Sequence, residues 1–146
     1  MTADRDRDPA GRPRQERPRD ALGRPLPYGA TGVDPVAEEP LPADQTLARA
    51  RGLLAEGRPF SAHEVLEARW KHCPAQERMF WQGLAQVCVA LTHAARGNQV
   101  GAERILERGL GRLDGYLAAG SAPTYGVDIA EVGRCARQQV TAPGQP

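Results

Sequence analysis

Five side chains in this sequence have the types and the spacing to do chemistry together: His63, Glu67, Gln82, Gln86 and His93. The stretch FSAHEVLEARW, residues 60–70, sets His63 and Glu67 one helical turn apart, with Leu66 and Trp70 beside them. A helix advances about 100° per residue, so these four side chains share a face. An imidazole oriented by a carboxylate is the arrangement of a general base. Two imidazoles and a carboxylate can instead hold a transition metal, which makes His63, Glu67 and His93 weak metal candidates.

On the next apolar stretch, Gln82, Gln86 and His93 fall opposite Phe80, Leu84, Val87 and Leu91. No charge occurs between Arg78 and Arg96, as expected of a helix surrounded by others. Polar groups there need internal partners, because an unmet buried donor or acceptor costs about 1–3 kcal/mol. Arg78 is placed to be a counter-ion for a carboxylate, and Asn98 to serve the turn at the far end. The candidate cluster is therefore His63, Glu67, Trp70, Arg78, Gln82, Gln86, His93 and Asn98. It reads as a buried hydrogen-bonding network that fixes helix register, as a ligand or substrate pocket, or as a metal site. No Ser–His–Asp pattern, glycine-rich phosphate loop or zinc-type cysteine spacing competes with it.

The elements that must position these residues are helical. In PADQTLARARGLLAEG, Asp44 can cap a first helix whose apolar stripe is Leu47, Ala50, Leu53 and Leu54, stopped by Gly57. Ser61 followed by Glu64 fits a capping box for a second helix, which runs to about His72 before Pro74. A third covers about 76–96 and ends at Gly97 or Asn98. A fourth covers about 100–118 with Ile105, Leu106, Leu110, Leu113 and Leu117 as its stripe, and a short fifth begins near Asp128. Aligning Gly57 with Gly97 superposes Ala62 on Ala102, Leu66 on Leu106 and Glu67 on Glu107, a faint repeat at an offset of 40 residues. Two helix hairpins of tetratricopeptide-like build would give that pattern, as would chance likeness between amphipathic helices. The expected fold is an all-α compact bundle of four to five helices at 41–140.

Residues 1–40 alternate Arg, Asp, Glu, Pro and Gly with few aliphatic side chains. Such a segment buries too little apolar surface to offset the entropy of ordering, so a disordered arm is expected, with Leu26 and Tyr28 able to lie along the domain. A tail at 141–146 should fray. Lys+Arg 19 against Asp+Glu 18 gives a net charge of +1, which favours neither nucleic acid nor an acidic membrane. Cys73, Cys88 and Cys135 lack paired spacing and read as free thiols of a reducing, cytoplasmic setting. The uncharged run 79–95 contains two Gln and a His and is short for a membrane span.

Three blocks, FSAHEVLEARW, ERMFWQGLAQ and HAARGNQVGAERIL, in that order resemble the domain-of-unknown-function family numbered 309, over about residues 44–118. The resemblance implies a helical protein. It places the family's signature on His63, Glu64, Glu67, Trp70, Arg78, Gln82, Gly83, Gln86, His93, Gly97, Asn98 and Gly101, with Thr92 where an aromatic residue is expected. It implies no activity, and no cofactor is called. Two functions follow as expectations: an interaction or scaffold module that engages a protein partner or a second copy of itself, or a small enzyme or metal-binding protein centred on His63, Glu67 and His93.

Overall fold

The computed structural model describes residues 19–26, 32, 40–120 and 122–141. The expectations for Tyr28, for the rest of the arm and for 142–146 lie outside them. Among the described residues there are five α-helices: α1 (Ala43–Ala55), α2 (Pro59–His72), α3 (Arg78–Ala95), α4 (Gln99–Ala119) and α5 (Ile129–Thr141), with one turn of 3-10 helix at Ala75–Glu77. The all-α bundle expected from the apolar periodicity is the fold observed. Thr141, counted with the tail by composition, closes α5.

Helix α3 lies at the centre, packed against α2, α4 and α5. Its lack of charge is the cause: Phe80, Trp81, Leu84, Val87 and Cys88 are all buried, Phe80 and Trp81 completely. Each such side chain withdrawn from water contributes about 1.5–3 kcal/mol. Leu53 of α1, Leu113 of α4 and Val140 of α5 are also fully buried. Gly83 and Gly109 let α3 and α4 approach almost backbone to backbone; a Cβ on either would stand 3.0 Å from the other's carbonyl oxygen.

Two of the interhelical turns, α1–α2 and α3–α4, share one hydrogen-bonding pattern. Between α1 and α2 the amides of Glu56, Gly57, Arg58 and Ala62 donate to the carbonyls of Gly52, Leu54, Leu53 and Arg58. Between α3 and α4 the amides of Arg96, Gly97, Asn98 and Ala102 donate to Thr92, Ala94, His93 and Asn98, each bond displaced by 40 residues. Gly57 (φ 72°) and Gly97 (φ 84°) occupy the left-handed position that ends each first helix. The repeat seen in the sequence is thus a repeat of hydrogen bonding at these junctions.

Two helix starts differ from expectation. Pro59 is preorganised for the first turn of α2, so the helix opens before Ser61, and Arg58 holds the cap position without a side-chain cap bond. Ser61 is inside the helix and buried, accepting from Arg58 Nη2 at 3.2 Å, and no capping box with Glu64 forms. Helix α1 likewise begins at Ala43, with Asp44 inside its first turn. There Thr46, fully buried, sends its hydroxyl back to the carbonyls of Leu41 and Pro42. Asn98 does cap α4, accepting from the Gly101 amide at 3.1 Å. Asp128 accepts from the Glu131 amide at the same distance and caps α5.

Candidate functional site

The opening pair is in contact: His63 Nε2 lies 2.7 Å from Glu67 Oε2, and Lys71 Nζ lies 3.0 Å from Glu67 Oε1. All three stand on one side of α2 at successive turns, as i, i+4 spacing requires. The hydrogen bond from His63, against the upward push of partial burial, and then the bond from Lys71 hold the Glu67 carboxyl down at about 2. Neighbouring Glu64 is shifted the other way: burial pushes its carboxyl up, and the charges of His63 and Arg19 only partly offset this.

Gln86, His93 and Asn98 of the candidate cluster are paired elsewhere. Gln86 Oε1 accepts from Arg112 Nη1 of α4 at 3.1 Å. His93 Nδ1 sits 3.2 Å from the Asn98 amide nitrogen at the α3–α4 turn. Gln82 is half-buried on α3, and Trp70 is half-buried with its indole Nε1 buried and without a hydrogen-bond partner among the described residues. Arg78 is exposed; the guanidinium that faces a buried carboxylate is Arg69, whose Nη2 is 3.7 Å from Glu77 Oε1. Among the described residues no group of three or more His, Cys, Asp or Glu side chains is placed to hold a metal ion.

Beside His63 lies a contact that the sequence did not lead one to expect. Phe60, the second residue of α2, has its ring 5.3 Å from the His63 ring. Residues 19–26 form a tight turn on that phenyl ring. The turn is closed by an antiparallel bridge between Arg19 and Pro25, by Gly23 N donating to Asp20 O, and by the Asp20 carboxylate accepting the amides of Leu22 (3.0 Å) and Arg24 (2.9 Å). Burial raises the Asp20 carboxyl, but those amides and the Arg24 guanidinium outweigh it and leave it below the ordinary value. Gly23 meets the ring face: a Cβ there would fall 2.2 Å from Phe60 Cγ, and its φ of 78° disfavours any L side chain. The Arg19 guanidinium lies 5.7 Å and the Arg96 guanidinium 6.0 Å from the ring centroid. Arg96 Nη2 also donates to the Leu22 carbonyl, across 74 residues of chain.

A second polar group was missed by sequence reasoning. Glu77 is buried and its Oε1 accepts from Trp81 Nε1 (3.1 Å) and from the Tyr125 hydroxyl (2.7 Å), while the Arg69 guanidinium stacks 5.3 Å from the Trp81 ring centroid. Tyr125 takes φ 51°, a left-handed conformation uncommon for a tyrosine. Burial, the bond to Glu77 and the charge of Glu77 all raise its phenol. The i, i+4 step from Glu77 to Trp81 is readable in sequence; the loop that brings Tyr125 is not.

Residues 47–105 match the model of the family described as domain of unknown function (DUF309), so the resemblance carried by the three sequence blocks holds over that stretch. Over 48 residues the chain is 44% identical to the uncharacterised protein YpuF of Bacillus subtilis (strain 168), a match covering 32% of this chain and 28% of that protein. The chain thus spans less than a third of that relative's length. No solved structure matches. No helix of the described residues is long and apolar enough to cross a membrane. Phe60, His63, Glu67 and Arg96 lie inside the matched stretch, whereas residues 19–26 lie before it.

Proposed function

We propose that this helical domain is a protein-interaction module, of tetratricopeptide-like hairpin build, that seats a short peptide turn where the start of α2 meets the end of α3. The supporting observation is the turn 19–26 resting on Phe60 with its Leu22 carbonyl taken by Arg96. A backbone carbonyl read by a guanidinium and a glycine read by an aromatic face is recognition of main chain, the means by which a scaffold binds peptides. The polar pair behind the seat acts as a brace: Glu67 orients His63, and His63 backs the Phe60 ring. A cytoplasmic setting fits three cysteines that are all free.

The test uses the full chain with Gly23→Val, which cannot keep its own turn on the ring. A capped, fluorescent peptide of residues 19–26 should bind this variant saturably. It should bind the wild type much more weakly, because there the seat is taken, and should not bind the folded double variant Gly23→Val, Phe60→Ala. Failure of the peptide to bind Gly23→Val overturns the reading.

A second reading, a small-ligand site, rests on a different observation. His63 Nδ1 is buried without a hydrogen-bond partner among the described residues, as is Trp70 Nε1. Native mass spectrometry of the wild type and of His63→Ala tests it; a bound small molecule lost in the variant would favour this reading over the first.

A further inference from the structure

Resting on the docking reading above, the geometry points to selectivity of the Phe60 seat for a turn of the form Asp-x-x-Gly. The external partner is then a polypeptide that presents such a turn and competes with residues 19–26 for the same face. The inference rests on two contacts of the seat, at Gly23 and at the Leu22 carbonyl, on the closure of the turn by Asp20, and on the Arg19 cation over the ring.

At the glycine position, the ring leaves no room for a side chain. The nearest ring atoms would stand 2.2 and 2.5 Å from a Cβ, well inside any real contact, and the His63 ring, 5.3 Å away between centroids, crowds the phenyl group. The backbone there also has positive φ, so glycine is demanded twice, once by space and once by conformation. At the aspartate position the requirement is internal to the turn. The Asp20 carboxylate ties two amides and the Arg24 Nε (3.0 Å), which fixes the loop before it reaches the domain. An Asx-closed loop loses less conformational entropy on docking than an open chain.

Between them, the carbonyl of Leu22 is turned outward to Arg96. That contact is indifferent to the residue's side chain. Arg19 adds a cation over the ring and donates to the Gly23 carbonyl at 2.6 Å, so a basic residue just before the aspartate strengthens the fit. The seat itself lies in the family-matched stretch, and its present occupant lies before it.

The experiment titrates the full-length Gly23→Val chain with four labelled peptides of residues 19–26: the parent, Asp20→Ala, Gly23→Ala and Leu22→Ala. Expected are a parent affinity nearly retained by Leu22→Ala and weakened about tenfold or more by Asp20→Ala and by Gly23→Ala. In the wild-type chain, excess parent peptide should displace the arm, read as faster hydrogen exchange at the Leu22 and Arg24 amides; Asp20→Ala peptide should not do so. If all four peptides bind alike, selectivity for the turn is wrong while docking at Phe60 survives. If the parent does not bind at all, both fall.

Discussion

The hydroxyl of Tyr125 donates to the carboxylate of Glu77 at 2.7 Å, joining the loop before α5 to the start of α3 across 48 residues. Glu77 is buried and shares that oxygen with the Trp81 indole. Removing the hydroxyl with Tyr125→Phe should cost about 1–2 kcal/mol in urea unfolding. Glu77→Gln should cost more, since it also removes the charge that Arg69 faces. A double-mutant cycle on the two positions should give a coupling of about 1 kcal/mol; additivity would show that the contact contributes nothing.

Acid should weaken the protein through Glu67. Its folded carboxyl titrates near 2 against an ordinary value of 4.5. A lowered folded value means the stabilisation is fully present above about 4.5 and is lost as pH falls toward about 2. Its side chain is 32% exposed, so solvent screening reduces the contribution to about 1 kcal/mol. Unfolding midpoints of wild type and Glu67→Gln should therefore converge between about pH 5 and about pH 2.5. Parallel losses in both proteins would count against the His63–Glu67 pair.

The α3–α4 crossing should be intolerant of a single methyl. Gly83→Ala places a Cβ 2.8 Å from Leu113 Cγ and 3.0 Å from the Gly109 carbonyl oxygen, and backbone cannot give way cheaply. A loss of about 1–3 kcal/mol is expected. Gly111 of α4, where an added Cβ would meet nothing within 4 Å, is the control. Gly111→Ala should stabilise by about 0.5–1 kcal/mol, both read from thermal unfolding.

The periodicity of apolar residues was enough to read the bundle, because burial of a stripe is what a helix of this length needs from its neighbours. Gly57 likewise marked the end of α1, and Gly97 or Asn98 that of α3, where Gly97 takes the left-handed position. Caps were harder. Pro59, with its fixed φ, opened α2 early and moved the cap from Ser61 to Arg58, three residues before, with no change in the apolar pattern. The four-residue step from His63 to Glu67 puts them within reach on any helix. Pairings such as Gln86 with Arg112, or Tyr125 with Glu77, depend on how two helices are rotated about each other and on where a loop returns. Neither is written in local spacing. Residues 19–26 were hidden for another reason: their contact with Phe60 runs through a glycine and a carbonyl, which carry no apolar signature.

The three thiols should react in order of exposure. Cys135 is exposed, Cys73 half-buried and Cys88 fully enclosed, where burial pushes its thiol up to about 12. A colorimetric thiol reagent at neutral pH should consume Cys135 first, reach Cys73 slowly and leave Cys88 untouched until the chain unfolds. Early modification of Cys88 would mean that α3 opens far more readily than its packing implies.

The matching junctions at Gly57 and Gly97 supply the molecule with an internal control. Neither glycine would bring a Cβ within 4 Å of anything, so replacing either by alanine charges the chain only for the backbone twist, about 1–2 kcal/mol. Any inequality between the two penalties must then come from the hairpins they hinge, which turns a pair of point substitutions into a direct comparison of how firmly each half of the bundle is held.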